Sequence, residues 1–347
     1  MFAELIRTAA ERNASDLFLG VGETPRLKVQ GDFIDLGGEV VARADMEAFW
    51  KECGADPASD HDHDSSYHSD NGERFRVNLH RQRDLLGAVL RRIKAELPEM
   101  GVLGLPEFLL HDWLMRPSGL VLVTGPTGSG KSTTLAASLS WLNTVRKAHV
   151  VTIEDPIEYL FTNGLCYFTQ RAVGIDTDSF ANGLRASLRQ APDVIFVGEI
   201  RDPETAMIAL QAAETGHLVL ATLHSSGVTD AVERITNIFP ESERKAALSL
   251  LSTQLCGVIC QKLVPDVSGG RVLALEHFAN VGATREWIEN VELSQLEEFI
   301  AKGDTAENRT FLAYLVHHCQ QGRVDAAIAE QASSNPTEFR RALRGIS

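Results

Sequence analysis

The residues most able to do chemistry lie in one short segment, Gly125–Ser132, with the sequence GPTGSGKS. Its glycines, lysine and serine have the spacing G-x-x-x-x-G-K-[ST], which is typical of loops that bind nucleotide phosphates. Backbone N–H groups of such a loop can surround phosphate oxygens, because glycine allows a close approach. Lys131 supplies a positive charge for the β- and γ-phosphates, and Ser132 a hydroxyl for Mg²⁺. The candidate phosphate-binding residues are Gly125, Pro126, Thr127, Gly128, Ser129, Gly130, Lys131, Ser132 and Thr133.

The segments on either side of this loop have the character that phosphate binding needs. Residues 120–123 (LVLV) form an apolar run typical of a buried parallel strand. Residues 135–142 read as a helix, whose N-terminal dipole adds partial positive charge beside the loop. The sequence therefore predicts that the chain binds a nucleoside triphosphate.

Three further apolar runs end in polar side chains that could act on the bound phosphates. Residues 150–153 are followed by Glu154, Asp155 and Glu158, and residues 194–197 are followed by Glu199. The third run, residues 218–222, is followed by His224. Ligands of an open α/β sheet bind beyond the carboxyl ends of the strands. We therefore expect these side chains to share one site with the phosphate loop.

Hydrolysis of a γ-phosphate needs Mg²⁺, carboxylates around the metal and a group that aligns the attacking water. Ser132 and Glu199 are the main candidates for the metal, with Glu154 and Asp155 as further members of its shell. Glu158 is the candidate for polarising water, and His224 for sensing the γ-phosphate or the metal shell. Because no nucleophile comes with a base, the sequence favours direct hydrolysis over a covalent intermediate.

The transition state of phosphoryl transfer usually recruits an arginine, often from another subunit. Arg76 and Arg91 lie on the polar phase of two predicted strands near the N-terminus, and we expect them to reach the phosphates of an adjacent protomer. Other arginines remain open for this role, namely Arg92, Arg185, Arg189 and Arg201. His217 follows a predicted helix end, where a packing role is as plausible as a catalytic one.

Composition limits the classes of function. The 347 residues include 47 acidic and 33 basic side chains, a formal net charge of −14. Phosphate contacts dominate non-specific nucleic-acid affinity, so we expect no direct binding of nucleic acid. The five cysteines contain no C-x-x-C pair, which predicts neither a zinc site nor a disulfide framework. The chain has no signal-peptide pattern and no run of about 18 apolar residues, so we expect a cytoplasmic protein that reaches membranes through partners.

The pattern of elements predicts an α/β protein with a small α+β domain in front. We expect that domain at residues 1–95, a linker at 96–104, the nucleotide-binding domain at 105–283 and a helical tail at 284–347. Residues 241–263 read as one helix with a core-facing stripe. Residues 60–70 contain Asp60, His61, Asp62, His63, Asp64, His68 and Asp70, which we interpret as a solvated loop in preference to a metal site.

Four motifs occur in a characteristic order: GPTGSGKS at 125–132, TIEDPIE at 152–158, DVIFVGEIRD at 193–202 and TGHLVLATLH at 215–224. Together they resemble the Walker A, Asp, Walker B and His boxes of the secretion-superfamily ATPases. The PilT-like branch, whose members retract type IV pili, is the most similar. Residues 14–17, 26–32 and 75–78 also resemble the N-terminal domain of that family.

The resemblance implies a PAS-like N-terminal domain, a RecA-like ATPase domain and a ring of six subunits. It implies that ATP and Mg²⁺ bind between the two domains, with Glu158 and Glu199 as the catalytic and metal-shell glutamates. Arg76 and Arg91 match the arginines that complete the site. It further implies a homo-hexamer at the inner membrane of a bacterium, working on a platform protein of a pilus or secretion machine.

Some features fit neighbouring branches of the superfamily. The tetracysteine zinc motif of the extension and type II secretion branch is absent, and residues 283–286 (ATRE) replace the Ala-Ile-Arg-Asn signature of retraction enzymes. Residues 180–185, 226–228 and 261–265 also resemble the DotB and TraJ ATPases of type IVB secretion and conjugation. A DNA translocase of RecA-like fold and a non-catalytic nucleotide-binding scaffold remain as alternatives.

Overall fold

A computed structural model describes residues 2–29, 31–69, 72–93, 97–303 and 305–345. Its residues form two compact units, one drawn from Met1–Glu96 with Pro156–Leu160 and the other from Leu97–Asp155 with Phe161–Ser347. The predicted end of the first domain at residue 95 and the start of the linker at 96 lie outside the described residues, as does Asp70. Within the described ranges, no helix is long and apolar enough to cross a membrane.

The first unit is an antiparallel sheet with two helices packed on it. Its elements are α1 (Phe2–Glu11), β1 (Asp16–Gly20), β2 (Arg26–Val29), β3 (Asp32–Asp35), α2 (Arg43–Glu52), β4 (Asp62–His68), β5 (Arg74–Gln82) and β6 (Leu85–Ile93). The strand order is β3-β2-β1-β6-β5-β4. Alternate residues of β5, namely Phe75, Val77 and Leu79, are buried in the core that α1 and α2 cover. The opposite phase of β5 carries polar side chains, as expected for a sheet with one covered face.

The interpretation of residues 60–70 as a loop is wrong, because β4 occupies Asp62–His68. This edge strand pairs with β5 in antiparallel register, with Asp64 opposite Asn78. Its aspartates and histidines make the segment look like a loop in sequence. Charged side chains are nevertheless common on edge strands, where they discourage pairing with another chain.

The second unit contains a mixed sheet flanked by helices. Its first elements are α3 (Met100–Leu103), α4 (Glu107–Leu114), β7 (Gly119–Thr124), α5 (Lys131–Val145), β8 (His149–Glu154), β9 (Tyr167–Ala172), α6 (Phe180–Ser187), β10 (Val194–Val197), α7 (Pro203–Glu214) and β11 (Leu218–Leu223). They are followed by α8 (Val228–Ile238), α9 (Glu241–Gln254), β12 (Leu255–Pro265), β13 (Arg271–Ala279), α10 (Thr284–Glu289), α11 (Leu293–Lys302), α12 (Phe311–Gln320), α13 (Ala326–Ala332) and α14 (Pro336–Leu343).

The strand order of this sheet, β13-β12-β7-β11-β10-β8-β9, places the four predicted strands side by side. All neighbours from β12 to β9 pair in parallel, and only β13 runs antiparallel. Leu120 and Leu122 of β7 face one core, and Val121 and Val123 face the other. Burial on both faces explains why these strands read as continuous apolar runs.

The predicted helix at 241–263 is wrong in its second half, where β12 begins at Leu255. Cys256 and Cys260 therefore lie on a strand, both buried. The whole of β12 is buried as far as Gln261, so its apolar spacing could not distinguish a strand from a helix. The helices after residue 283 follow the predicted helical pattern, and Phe311, Leu315 and Phe339 belong to the same core as β7.

Candidate active site

The phosphate loop joins the C-terminal end of β7 to the first turn of α5. A Cβ at Gly125, where φ is +143°, would lie 2.5 Å from the Gln261 carbonyl oxygen and 2.6 Å from Ser129 Oγ. Only glycine therefore fits there. Gly130 precedes α5 in the left-handed region, and no side chain caps the helix. The N-terminal end of a helix carries partial positive charge and favours an anion, and here it adjoins the loop.

Lys131 is directed into the mouth of its own loop. The side chain is largely buried, and Nζ donates to the carbonyl oxygens of Gly125 (2.8 Å) and Pro126 (3.1 Å). The same atom lies 3.5 Å from His224 Nδ1. Because an ammonium can only donate, His224 faces it with Nδ1 as the acceptor. The proton of the neutral imidazole then sits on Nε2.

Glu199 is the next group along this line of side chains. Its Oε1 lies 3.3 Å from His224 Nε2, which is placed to donate to it. Its Oε2 accepts from Arg201 Nη2 at 2.7 Å, and this hydrogen bond raises the pKa of the Arg201 guanidinium. Arg201 also lies 3.9 Å from Asp155. Lys131, His224, Glu199, Arg201 and Asp155 thus form one chain of contacts beyond the ends of four parallel strands, β7, β11, β10 and β8.

Glu154 is held more firmly inside the sheet. The side chain is almost fully buried, and its Oε1 accepts from Thr152 Oγ1 (2.7 Å) and Gln170 Nε2 (3.3 Å). Gln170 lies on β9, a strand that no sequence pattern predicted. The TIEDPIE motif divides after Asp155, because Pro156–Leu160, which contains Glu158, belongs to the first unit.

The two arginines of the first unit lie directly opposite each other. Arg76 on β5 pairs in register with Arg91 on β6, so both side chains are on one face of that sheet. Arg76 lies 3.8 Å from Asp64, and Arg91 Nε donates to the buried Asp16 at 2.7 Å. Like charges directly opposite on a sheet repel each other. The two carboxylates offset this repulsion, and most of the Arg91 side chain stays exposed.

His217 contributes to the end of a helix. Its backbone N–H donates to Ala212 O at 3.1 Å, and Nδ1 lies 3.0 Å from the same oxygen. Gly216 before it has φ +103°, as expected where a helix ends in a left-handed residue. These contacts give His217 a structural role at the end of α7.

The residues around the loop fit a nucleotide with Mg²⁺. Ser129 Oγ is buried and has no hydrogen-bond partner within the described chain, so a ligand oxygen could satisfy it. Among the described residues, no three His, Cys, Asp or Glu side chains could hold a metal ion by themselves. This holds for Glu154, Asp155 and Glu199 and for the described part of the segment 60–70. Mg²⁺ would instead take the Ser132 hydroxyl together with phosphate and water oxygens.

Sequence reasoning missed Gln170, Gln261 and His318 near this site. Gln261 Nε2 donates to Thr134 Oγ1 in the first turn of α5 at 2.9 Å, although the two residues are far apart in sequence. His318 lies in a helical region without any motif. Gln170 reaches Glu154 from β9, and only the packing of β12, β13 and α12 brings Gln261 and His318 near the loop, so no local signal could have assigned these residues to the site.

Comparison with known proteins gives a consistent assignment. A family model described as "Type II/IV secretion system protein" matches residues 87–309. The chain is 37% identical over 341 residues to the "Type IV pilus retractation ATPase PilT" of Pseudomonas aeruginosa, an alignment that covers 97% of this chain and 99% of that protein. The resemblance inferred from the four motifs is confirmed.

Solved structures agree with this result. The crystal structure of the pilus retraction motor PilT with bound ADP superposes with a TM-score of 0.90 at 39% identity, covering 98% of each chain. The Legionella pneumophila ATPase DotB superposes with a TM-score of 0.78 at 27% identity, covering 95% of this chain and 94% of that one. The predicted RecA-like fold with a small α+β domain in front is confirmed.

Proposed function

Because the chain belongs to the type II/IV secretion system protein family, we propose that it is an ATP-hydrolysing motor that powers retraction of type IV pili. The observation that carries the proposal is the chain of contacts from Lys131 through His224 to Glu199, at the edge where the phosphate loop leaves its strand. Full-length similarity to a protein named as a pilus retraction ATPase supports the choice of machine.

Each polar group has a distinct task in this proposal. Lys131 would exchange its loop carbonyls for the β- and γ-phosphates of ATP, and Ser132 would hold Mg²⁺. Glu199 would orient water bound to the metal, with Asp155 acting through Arg201. Glu154, whose carboxylate is held by Thr152 and Gln170 at the end of β8, is a further member of that shell.

His224 is suited to report whether the γ-phosphate is present. It contacts both Lys131 and Glu199, so any shift of the lysine towards phosphate removes one of its two neighbours. Loss of that neighbour changes the hydrogen bond that His224 offers Glu199. Glu158 is the proposed group that aligns and polarises the attacking water.

We propose further that the working form is a homo-hexamer whose sites are completed by neighbouring copies. Arg76 and Arg91 of one protomer act on the phosphates bound by the next. Their register on adjacent strands supports this role, because two facing arginines form a site that attracts an anion. The ring would be cytoplasmic, peripheral to the inner membrane and bound to a platform protein of the pilus machine.

Turnover by the purified protein tests the catalytic part. Lys131→Ala removes the phosphate charge and Glu199→Gln removes the negative charge beside the metal, so each should lower ATPase activity by roughly 100-fold or more. Glu199→Gln should still bind ATP. Lys147→Ala, which alters an exposed lysine just after α5, is the control and should keep full activity. Undiminished turnover in both site variants would contradict the proposal.

A DotB-like or TraJ-like role in type IVB secretion or conjugation is the second candidate, favoured by the superposition on DotB over 95% of the chain. Expression in a piliated bacterium that lacks its own retraction ATPase separates the two. Restored twitching motility, lost again with Lys131→Ala, supports retraction. A DNA translocase is less favoured because of the net charge of −14, and ATPase stimulation by DNA would favour it.

A further inference from the structure

A cleft of about 380 Å³ opens beside the first turn of α5, formed by the second unit alone. Ser129, Gly130 and Thr133 line one end of it. The rest is formed by α3 with Gly104, by the hairpin of β12 and β13, and by α12, and the charged side chains of Arg271 and Arg323 also line it. Apolar walls come from Leu263, Val272 and Leu273, and His318 projects from α12. Apolar walls with a few polar groups are typical of a small-molecule site.

Three buried polar atoms of this cleft have no hydrogen-bond partner within the described part of the chain. They are Ser129 Oγ, Gln261 Oε1 and His318 Nδ1. All three side chains are more than nine-tenths buried. A buried polar atom without a hydrogen-bond partner is unfavourable, so three in one cleft point to a ligand that satisfies them.

The surroundings of His318 determine what its free nitrogen can do. Nε2 lies 3.0 Å from the carbonyl oxygen of Leu273, which can only accept. Nε2 must therefore carry the proton. Burial lowers the pKa of His318, with charged neighbours Arg323 and Arg309 and the adjacent His317 acting in the same direction. The ring is thus neutral near pH 7, and Nδ1 is an acceptor that needs an N–H or O–H group.

We propose that this cleft receives the nucleoside of the bound triphosphate and that His318 Nδ1 accepts a hydrogen bond from the 6-amino group of adenine. The inference rests on the proposed ATPase function, because the phosphate loop at one end of the cleft fixes where the nucleoside begins. A 6-oxo purine carries an acceptor at that position, so it would face Nδ1 with a second acceptor. His318 is therefore a specificity-determining residue.

The assignment gives the C-terminal helices a part in nucleotide binding. His318 is fixed by Leu273 of β13, and α12 packs through Phe311 and Leu315 into the core of the nucleotide-binding sheet. The base thereby contacts a helix far from every sequence motif. Truncation of the chain before α12 would remove the group that recognises the base.

Equilibrium binding of nucleotide analogues to the full-length wild-type protein tests the proposal. ATP should bind at least about five- to tenfold more tightly than purine riboside triphosphate, which lacks the 6-amino group, and ITP should bind more weakly still. Equal affinities for the three nucleotides would overturn the role of His318. Absence of binding by all three would instead overturn the proposed ATPase function.

Variants of His318 test whether its side chain causes the preference for ATP. His318→Phe should bring the affinities for ATP and ITP within about twofold of each other. His318→Gln can still donate to the Leu273 carbonyl oxygen and offer an acceptor, so it should keep the preference for ATP over ITP. His317→Phe on the same helix is the control and should behave as wild type. A wild-type preference in folded His318→Phe would contradict the proposal. If that variant fails to fold, the analogue series on the wild-type protein decides.

Discussion

At the scale of single residues, the site depends on which atoms can donate and which can accept. Lys131 Nζ can only donate hydrogen bonds, so His224 faces it with Nδ1 as an acceptor. His224 Nε2 then carries the proton and is placed to donate to Glu199. Arg201 holds the second oxygen of Glu199. A carboxylate held on both oxygens is already oriented before a nucleotide binds, as the metal-shell role proposed for Glu199 requires.

The burial of His277 leads to a separate prediction about how the stability of the fold depends on pH. The side chain is 1% exposed, Nδ1 lies 2.9 Å from the carbonyl oxygen of Glu307, and burial lowers the pKa of the imidazole. Below pH of about 6.5 the unfolded chain therefore takes up a proton that the folded chain resists. The contribution of His277 to stability should be complete above that pH and should decline as the pH falls towards the lowered value.

Urea unfolding at pH 7.5 and pH 5.5 measures this effect. The free energy of unfolding of the wild type should fall on acidification, and the fall should be smaller in His277→Gln. His318 acts in the same direction, so part of the dependence should remain. A mutation of the less buried His317 to Gln is the control. An unchanged pH dependence in His277→Gln would contradict the assigned cause.

At the scale of elements, the sequence predicts what has a local pattern and misses what tertiary contacts decide. β7, β8, β10 and β11 are recognisable because each is an apolar run followed by polar residues. β9 (YFTQRA) is too polar to be predicted as a strand, yet it supplies Gln170. β12 is apolar on both phases, so its spacing fits a helix equally well until its neighbours are known.

The residues of the candidate site also fall into those that a local sequence pattern predicts and those that it does not. Lys131, Glu199 and His224 follow from motifs and from the rule that sites lie beyond strand ends. Gln261 and His318 do not, because no local pattern relates them to the loop.

Gly257 tests how β12 is fixed in the sheet. A Cβ at this position would lie 2.2 Å from the Trp113 ring and 2.4 Å from the Phe278 carbonyl oxygen, beside an irregularity in the pairing with β7. Neither group can move freely, since both residues are fully buried. Gly257→Ala should lower the free energy of unfolding by roughly 3 kcal/mol, measured by urea denaturation.

Gly20→Ala is a suitable control for this change. The new methyl group would meet the flexible side-chain ends of Glu23 at 3.4 Å and Gln82 at 3.6 Å, and the backbone is not left-handed. Its effect should stay below about 1 kcal/mol. Equal effects of the two changes would show that the close contact with Trp113 does not fix β12.

At the scale of the whole molecule, the proposal requires copies of the chain to work together. Arg76 and Arg91 belong to the first unit, and the phosphate loop belongs to the second. A site that needs both parts, taken from different copies, makes turnover depend on assembly. Binding and release of ATP could then be passed round the ring as rigid-body movement, which is how a motor converts a local change of charge into work.

The most direct test of this account mixes two inactive variants. Lys131→Ala keeps Arg91 but cannot bind the phosphates productively, and Arg91→Ala keeps the phosphate loop but lacks the arginine. If the arginine acts on a neighbouring copy, rings assembled from equal amounts of the two variants should be active at about a quarter of their sites. A working site needs the phosphate loop of one variant beside the arginine of the other, and each occurs with a chance of about one half. Arg91→Ala mixed with a variant that carries both Lys131→Ala and Arg91→Ala is the control for nonspecific rescue, because no copy in that mixture supplies Arg91.

The two proteins must be mixed before assembly, and joint rings should be verified by capture through a tag on one variant. The account predicts that the mixture hydrolyses ATP severalfold faster than the sum of the separate variants. Joint rings no more active than that sum, or an Arg91→Ala protein with wild-type turnover by itself, would contradict the account.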